Sequence, residues 1–325
     1  MTPAGRILAE EIRNSGPIPF SRFMETALYH PQYGYYRPAR DPFGREGDFY
    51  TAEQVQPVFG ILIRDYVRRL KQELGAGEFR VAELGAGREE MAPHLAEFGY
   101  QGVDIGRGSL PSGLRGLIFA NEFFDALPVD VYVKRQEGFR QMRVALGSHG
   151  ESFVWVESER APAEVEEYLA RFGGAAEEGD WREAGFQALR WMDRIASCLD
   201  EGYLLAIDYG YTSREAVRFP RGTLMSYRRH TAMEDVLEEP GERDITAHVN
   251  LTAVAARAEE RGLRIERFET LAQTLLRAGE ADRFAAALEA GDEVSRLRRR
   301  LQLKTLLYGM GETFRTLVAR KAGLK

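Results

Sequence analysis

The sequence predicts an α/β protein on a Rossmann-like sheet, and three observations carry that reading. Phe79–Leu84 is a short apolar run with Glu83 near its end, and it opens onto Gly85-Ala86-Gly87. Strand, glycine turn and a following helical pattern make the first unit of a nucleotide-binding α/β sheet. Leu117–Ala120 and Gly202–Gly210 are two further buried runs, and each ends in polar residues, Asn121-Glu122 and Asp208. In open α/β sheets ligands bind outside such strand ends.

Taken in order, residues 4–14 predict a helix with Ile7, Leu8 and Ile12 inward, stopped by Gly16-Pro17. Ser21 caps a second helix to Tyr29. An aromatic, glycine-punctuated loop follows, Tyr33–Tyr36 and Gly44–Thr51; it reads either as a packed loop or as a lid with Asp48 and Thr51 as polar contacts. Pro57–Glu73 is a helix with Phe59, Ile63, Tyr66, Val67 and Leu70 on its buried stripe. Residues 89–98 continue the glycine turn as a helix whose N-terminus offers free N–H groups. Val103-Asp104 ends a second strand.

Residues 106–116 are rich in glycine, serine and proline and leave little room for a crossover helix. Residues 129–134, 141–146 and 152–156 alternate like antiparallel strands and read as an insertion or a sheet extension. Residues 164–172 and 181–199 predict helices. A short strand at 224–227 precedes His230. Asn250 caps a helix at 251–261, closed by Gly262. A strand at 263–268, a helix over 281–304 with Phe284, Leu288, Val294, Leu297 and Leu301 inward, and a strand at 314–320 complete the chain. The arginines at 296 and 298–300 read as a solvated face or, alternatively, as a docking patch.

The totals bound the function. The chain has 325 residues, 44% hydrophobic and 29% charged, enough for one large domain or two modest ones. Its net charge of −6 offers no global basic field, which excludes nucleic acid as the main partner. One cysteine, Cys198, allows no internal disulfide, excludes a thiolate zinc site and fits a reducing compartment as buried filler. No apolar run approaches the roughly 20 residues that span a bilayer. The N-terminus has no apolar signal core, and Glu10 and Glu11 argue against a transit peptide, so a cytoplasmic protein is expected.

The glycine turn sorts ligand classes. A dinucleotide fingerprint needs a small residue at position 90, where this chain has Glu90, and that disfavours NAD or FAD. Glu83 suits a ligand with a cation near the loop, such as the amino-acid end of S-adenosylmethionine. Asp104 can accept from both ribose hydroxyls, or it is a surface turn aspartate. Asn121–Pro128 reads as a ligand-facing strand end, or as a capped turn with Asp125 as the cap.

Seven blocks then resemble one family. GREGDFYT (44–51), ELGAGR (83–88), NEFFDALP (121–128), IDYG (207–210), RGTL (221–224), DITAHV (244–249) and GMGETF (309–314) stand in the order of the MidA family, which includes a mitochondrial complex I assembly arginine methyltransferase. The resemblance implies a class I methyltransferase fold: a seven-stranded, mostly parallel sheet ending in an antiparallel hairpin. It also implies an N-terminal helical cover over 1–77, a methyltransferase domain over 78–325, and an α+β insertion at about 136–200. It implies S-adenosylmethionine as cofactor and a protein arginine as target; the lack of a long apolar run predicts no membrane insertion. The oligomeric state is left open, a homodimer included.

An arginine nucleophile is protonated at neutral pH, with a pKa above about 12. The site has to hold it, localise its charge away from the attacking nitrogen and accept a proton. Glu122 and Asp125 are assigned that task, with Asn121 orienting the guanidinium. Asp48, Thr51, Glu83, Gly85, Gly87 and Asp104 are assigned to the cofactor. Two features depart from the family pattern: Glu89 stands where a glycine is usual, and the 106–116 segment is short. They leave room for a second reading, an S-adenosylmethionine-binding assembly factor with little or no catalysis.

Overall fold

The computed structural model describes residues 1–37, 52, 55–228 and 231–323. Asp48, Thr51 and His230 lie outside the described residues. The chain divides into two units, Met1–Tyr50 with Asp125–Leu189 and Tyr211–Ala253, and Thr51–Phe124 with Arg190–Gly210 and Val254–Lys325.

The first unit is built on an antiparallel sheet in the order Ile18–Pro19, Gly138–Leu146, Asp130–Arg135, Trp181–Ala184, with Phe153–Arg160 also paired to Gly138–Leu146. The alternation at 129–156 therefore gives antiparallel strands as expected. Helices Pro3–Ser15 and Phe20–Tyr29 bury Leu8, Ile12, Phe20 and Phe23 in one core with Val131, Val133 and Val144. The expected helix over 181–199 begins later. Trp181 instead pairs with Val133 in the sheet, and the helix runs Phe186–Cys198 after Gly185. Asn250 caps as expected: its Oδ1 accepts from Ala253 N–H at 3.2 Å, while its amide donates to the Phe172 carbonyl at 2.8 Å.

The second unit carries the Rossmann-like sheet. Its strands are β1 (Arg80–Leu84), β2 (Gln101–Val103), β3 (Leu114–Asn121), β4 (Leu199–Tyr211), β5 (Leu263–Thr270) and β6 (Phe314–Lys321). They lie in the order β5-β6-β4-β3-β1-β2. The pairs among β1 to β4 are parallel, while β4/β6 and β5/β6 are antiparallel. This is the class I methyltransferase pattern with its closing hairpin. Helix Val58–Leu74 buries Phe59, Ile63, Tyr66, Val67 and Leu70 against Val81, Leu117, Phe119 and Leu205, as its periodicity predicts. Cys198 is buried, and burial pushes its thiol up to about 11, which suits filler and not a nucleophile.

Two helices differ from expectation. Met91, Leu95 and Phe98 are buried, but the helix after the glycine turn is only Ala92–Leu95, followed by a 3-10 turn, Ala96–Phe98. Glu89 has φ +56°, a left-handed value that ends any helix begun at the turn, and Pro93 fixes the later start. The predicted helix over 281–304 breaks into Ala285–Leu288 and Glu293–Lys304, the latter capped by Asp292. Val294, Leu297 and Leu301 point outward, not inward. The face that packs carries Leu303, Leu306, Leu307 and Met310, which continue the helical register past residue 304.

Candidate functional site

Strand register places the polar strand ends on one edge of the second unit's sheet. Leu84 lies beside Val103 and Ala120, Ala120 beside Ala206, and Asn121 beside Ile207. The residues just beyond are therefore neighbours along the carboxyl edge of the parallel strands: the Gly85–Gly87 turn, Asp104, Asn121-Glu122 and Asp208.

The turn is held by backbone and one carboxylate. Gly85 and Gly87 have φ of +68° and +47°. A Cβ on Gly85 would come within 3.1 Å of the Phe123 ring, so this turn needs glycine for both space and conformation. Gly87 N–H donates to Asp104 Oδ2 at 2.7 Å, and Ile105 N–H donates to Asp104 Oδ1 at 2.7 Å. Each carboxylate oxygen keeps acceptor capacity beyond these bonds. Asp104 is thus a partly exposed turn residue whose carboxylate is fastened to the glycine turn. The helix after the turn is short and late, and the turn's amides are engaged within the protein: Gly85 N–H donates to the Val103 carbonyl at 2.9 Å and Glu89 N–H to the Ala86 carbonyl at 2.6 Å.

Arg107 joins this group, and the sequence reading missed it. The short 106–116 segment turns back at once: Asp104 N–H donates to the Arg107 carbonyl at 2.8 Å, and Arg107 N–H to the Asp104 carbonyl at 3.0 Å. That hairpin brings Arg107 Nη2 to the Gly87 carbonyl at 2.7 Å, with Glu89 Oε1 at 3.7 Å and Asp104 Oδ2 at 3.9 Å. The two departures from the family pattern, Glu89 and the short segment, therefore meet each other.

Glu83 is buried on β1 and accepts from the Tyr100 hydroxyl. Asn121 is buried; its Nδ2 donates to Glu122 Oε1 at 3.1 Å, while its Oδ1 has no hydrogen-bond partner among the described residues. Glu122 has φ +50°, an uncommon conformation for a residue with a side chain. Its N–H donates to the Ile207 carbonyl at 2.9 Å, and its Oε1 also accepts from Ala52 N–H at 2.9 Å. Asp208, fully buried, was recognised only as a strand-end acid. Its Oδ2 accepts from Phe123 N–H at 3.2 Å and Phe124 N–H at 2.7 Å, which fixes the turn that carries Glu122. Phe123 packs edge-on against Trp191 with ring centroids 4.9 Å apart.

Asp125 belongs to the first unit. It is buried, and its carbonyl accepts from Ala247 N–H at 2.9 Å. In the same unit Tyr36 donates to Asp244 at 2.9 Å, and His248 N–H donates to Thr223 Oγ1 at 3.0 Å. Burial first, then the charges of Asp244 and Asp125 among others, push the Tyr36 hydroxyl well above its ordinary pKa. The blocks 121–128, 221–224 and 244–249 are thus bonded to one another here.

Residues 107–269 match the profile of a family described as "Putative S-adenosyl-L-methionine-dependent methyltransferase". Among curated relatives, the mitochondrial protein arginine methyltransferase NDUFAF7 homolog of Drosophila melanogaster is 28% identical over 78% of this chain and 70% of its own length. The mitochondrial protein arginine methyltransferase NDUFAF7 of Bos taurus is 25% identical over 97% of this chain and 82% of its own. Among solved structures, a "likely methyl transferase" from Burkholderia thailandensis bound to S-adenosyl-homocysteine superposes with a TM-score of 0.87. It is 29% identical and covers 98% of this chain and 92% of its own.

These relatives correct one expectation. Both curated relatives are named mitochondrial proteins, which overturns the cytoplasmic assignment. Glu10 and Glu11 sit on the helix Pro3–Ser15, where Leu8 and Ile12 are buried. Their acidity belongs to the solvent side of a packed element.

Proposed function

This chain belongs to that family of S-adenosyl-L-methionine-dependent methyltransferases, the MidA-like group, and from that premise we propose that it methylates arginine in a protein substrate. S-adenosylmethionine is its cofactor. The carboxyl edge fits such a group: a left-handed glycine turn where a Cβ would crowd Phe123, an anchored carboxylate with spare acceptor capacity, and the buried Asn121 Oδ1, without a partner among the described residues. When bound, the cofactor supplies an electrophilic methyl carbon on a sulfonium.

The chain's own residues do the rest in this reading. Gly85, Gly87, Glu83 and Asp104 hold the cofactor, with Asp48 and Thr51 assigned on sequence. Glu122 and Asn121 receive the guanidinium. Their mutual bond and the Ala52 N–H fix the Glu122 carboxylate on Oε1 before substrate arrives, and such preorganisation favours near-attack geometry. Asp125, assigned with them on sequence, lies in the first unit, and Asp125→Asn beside Glu122→Gln tests its part. The observation that carries the proposal is the register that sets Asn121-Glu122 on the same strand edge as the Gly85–Gly87 turn. The names of the relatives support arginine as the target.

Two measurements test it. Calorimetric titration with S-adenosylmethionine and S-adenosylhomocysteine, with NAD as control, should show saturable binding of the sulfur ligands only, lost in Gly85→Val. With tritiated cofactor and protein extract, acid hydrolysis should place the label in methylated arginine, and Glu122→Gln should abolish it while S-adenosylhomocysteine still binds. Label in another amino acid would sink the arginine assignment. The second reading, a cofactor-binding scaffold, draws on Arg107, whose guanidinium is bonded to the turn itself. Binding without any transfer would favour it.

A further inference from the structure

We propose that the exposed face of helix Glu293–Lys304 is a docking surface for an acidic, amphipathic segment of the protein substrate; the inference rests on the reading that the substrate is a protein. The helix faces solvent with an apolar stripe. Val294 is 70% exposed, Leu297 57%, Leu301 57%, and Tyr308, on the π-helical turn that continues the helix, 79%. Their spacings of three, four and seven put them on one side. The opposite side is already used, with Leu303, Leu306, Leu307 and Met310 on the core. This stripe is the pattern of anchors by which a helix meets a complementary apolar face.

Charge identifies the occupant. The helix carries five cations, Arg296, Arg298, Arg299, Arg300 and Lys304, against the single acid Glu293. Among the described residues none of the five is ion-paired with a carboxylate. The chain as a whole has a net charge of −6, so this is a local positive field on an acidic protein. Such a field steers an acidic segment to this face and repels basic ones. Arg299 lines a cavity with Ile61 and Glu289, and the other four cations are exposed; a second copy of the chain is a poor occupant, because stripe against stripe would bring those exposed cations against their like.

Topology ties the surface to the site. The connection that carries the helix leaves β5 at Thr270, opposite Arg315, and enters β6 at Phe314, opposite Tyr209. Asp208 lies beside Arg315, so the connection leaves and returns at the carboxyl edge that holds the glycine turn. The helix is also tethered there. Gln302 donates to the Gln56 carbonyl, and Val55 of that segment donates to Ala52, whose N–H holds Glu122 Oε1. A segment docked on the stripe is held next to the edge where methyl transfer is proposed.

The test uses fluorescence anisotropy with a labelled synthetic peptide of about 18 residues, glutamates and leucines in helical order around one arginine. A scrambled peptide of equal composition is the control. The ordered peptide should bind the full chain at least about tenfold tighter than the scrambled one, and more weakly as salt rises. Leu297→Asp with Leu301→Asp, and separately Arg298→Glu with Arg300→Glu, should each cost about tenfold in peptide affinity and leave S-adenosylhomocysteine affinity unchanged. Equal binding by wild type and variants, or no preference for the ordered peptide, overturns the proposal. So does capture by phosphatidylglycerol vesicles in place of the peptide, or a wild-type dimer that the leucine variant dissolves. Replacing the peptide's arginine by lysine should leave docking intact. A peptide that docks by this face keeps the docking surface whether or not its arginine is methylated, while the arginine reading stands or falls on the amino acid that carries the label.

Discussion

The Gly87 amide donates to Asp104 Oδ2 at 2.7 Å, so the loop after the first parallel strand is fastened to the end of the second. One carboxylate thereby sets the turn and presents its remaining acceptor capacity to the edge. Asp104→Ala should weaken S-adenosylhomocysteine binding about 10–100-fold, the worth of one charged hydrogen bond of roughly 1.5–3 kcal/mol. Asp104→Asn, which keeps one acceptor, should fall between. Calorimetry decides it, and an unchanged affinity in the alanine variant would remove Asp104 from the site.

Glu89 occupies a backbone conformation that suits glycine, and its carboxylate lies 3.7 Å from Arg107 across a largely exposed gap. An exposed pair of this kind is worth little, whereas the left-handed backbone costs about 1 kcal/mol for a residue with a Cβ. Glu89→Gly should therefore leave stability unchanged or raise it by up to about 1 kcal/mol in urea titration. Arg107→Ala should act differently, since it removes the donor to the Gly87 carbonyl. It should loosen the turn and lower cofactor affinity severalfold with little change in melting temperature. If both variants behave alike, Arg107 serves Glu89 and not the turn.

Much of this was legible in the sequence where local pattern and burial agree. Val58–Leu74 and β4 read correctly because their apolar spacing is the spacing of the core. The edge residues were legible because polar groups closing an apolar strand have few other uses. What failed were choices that only tertiary packing makes. Val294, Leu297 and Leu301 have the same helical period as Leu303, Leu306 and Met310, and periodicity cannot say which stripe meets the core. Trp181 fits a helix by spacing, but the partner strand at Val133 claims it. Asp208 and Arg107 act by bonds to backbone groups far along the chain, for which no local pattern exists.

Stability should depend on His94. Its ring lies against Gly60, where a Cβ would come within 2.1 Å of it, and burial first, then Arg64, lowers its pKa from 6.5. The native state therefore favours neutral imidazole. Below about 6.5 the unfolded chain binds the proton before the native one does, so stability falls as pH falls through that range. Burial of Glu183 raises its pKa and pulls the opposite way, losing stability as pH rises, so the wild type must be compared with a variant. Melting temperatures from pH 7.5 to 5.5 should fall less steeply in His94→Gln than in wild type. Parallel curves would mean that His94 does not contribute.

Asp208 offers the sharpest separation of positioning from chemistry. It is fully buried, and its Oδ2 accepts two backbone N–H groups from the turn that follows Glu122. Removing it leaves two buried donors without that acceptor, at about 1–3 kcal/mol each. Asp208→Ala should cost about 2–5 kcal/mol in denaturant titration. Asp208→Asn keeps an acceptor of the same shape at lower strength and should cost about 1–2 kcal/mol. Because that turn also carries Phe123, which packs against Gly85, the asparagine variant should keep the fold while relaxing the register between Glu122 and the glycine turn. Its methyl-transfer rate constant should then fall about tenfold or more, while S-adenosylhomocysteine affinity changes only severalfold. A loss of affinity as large as the loss of rate would place Asp208 in cofactor binding. A loss of neither would show that Asn121 and Glu122 hold their positions without it.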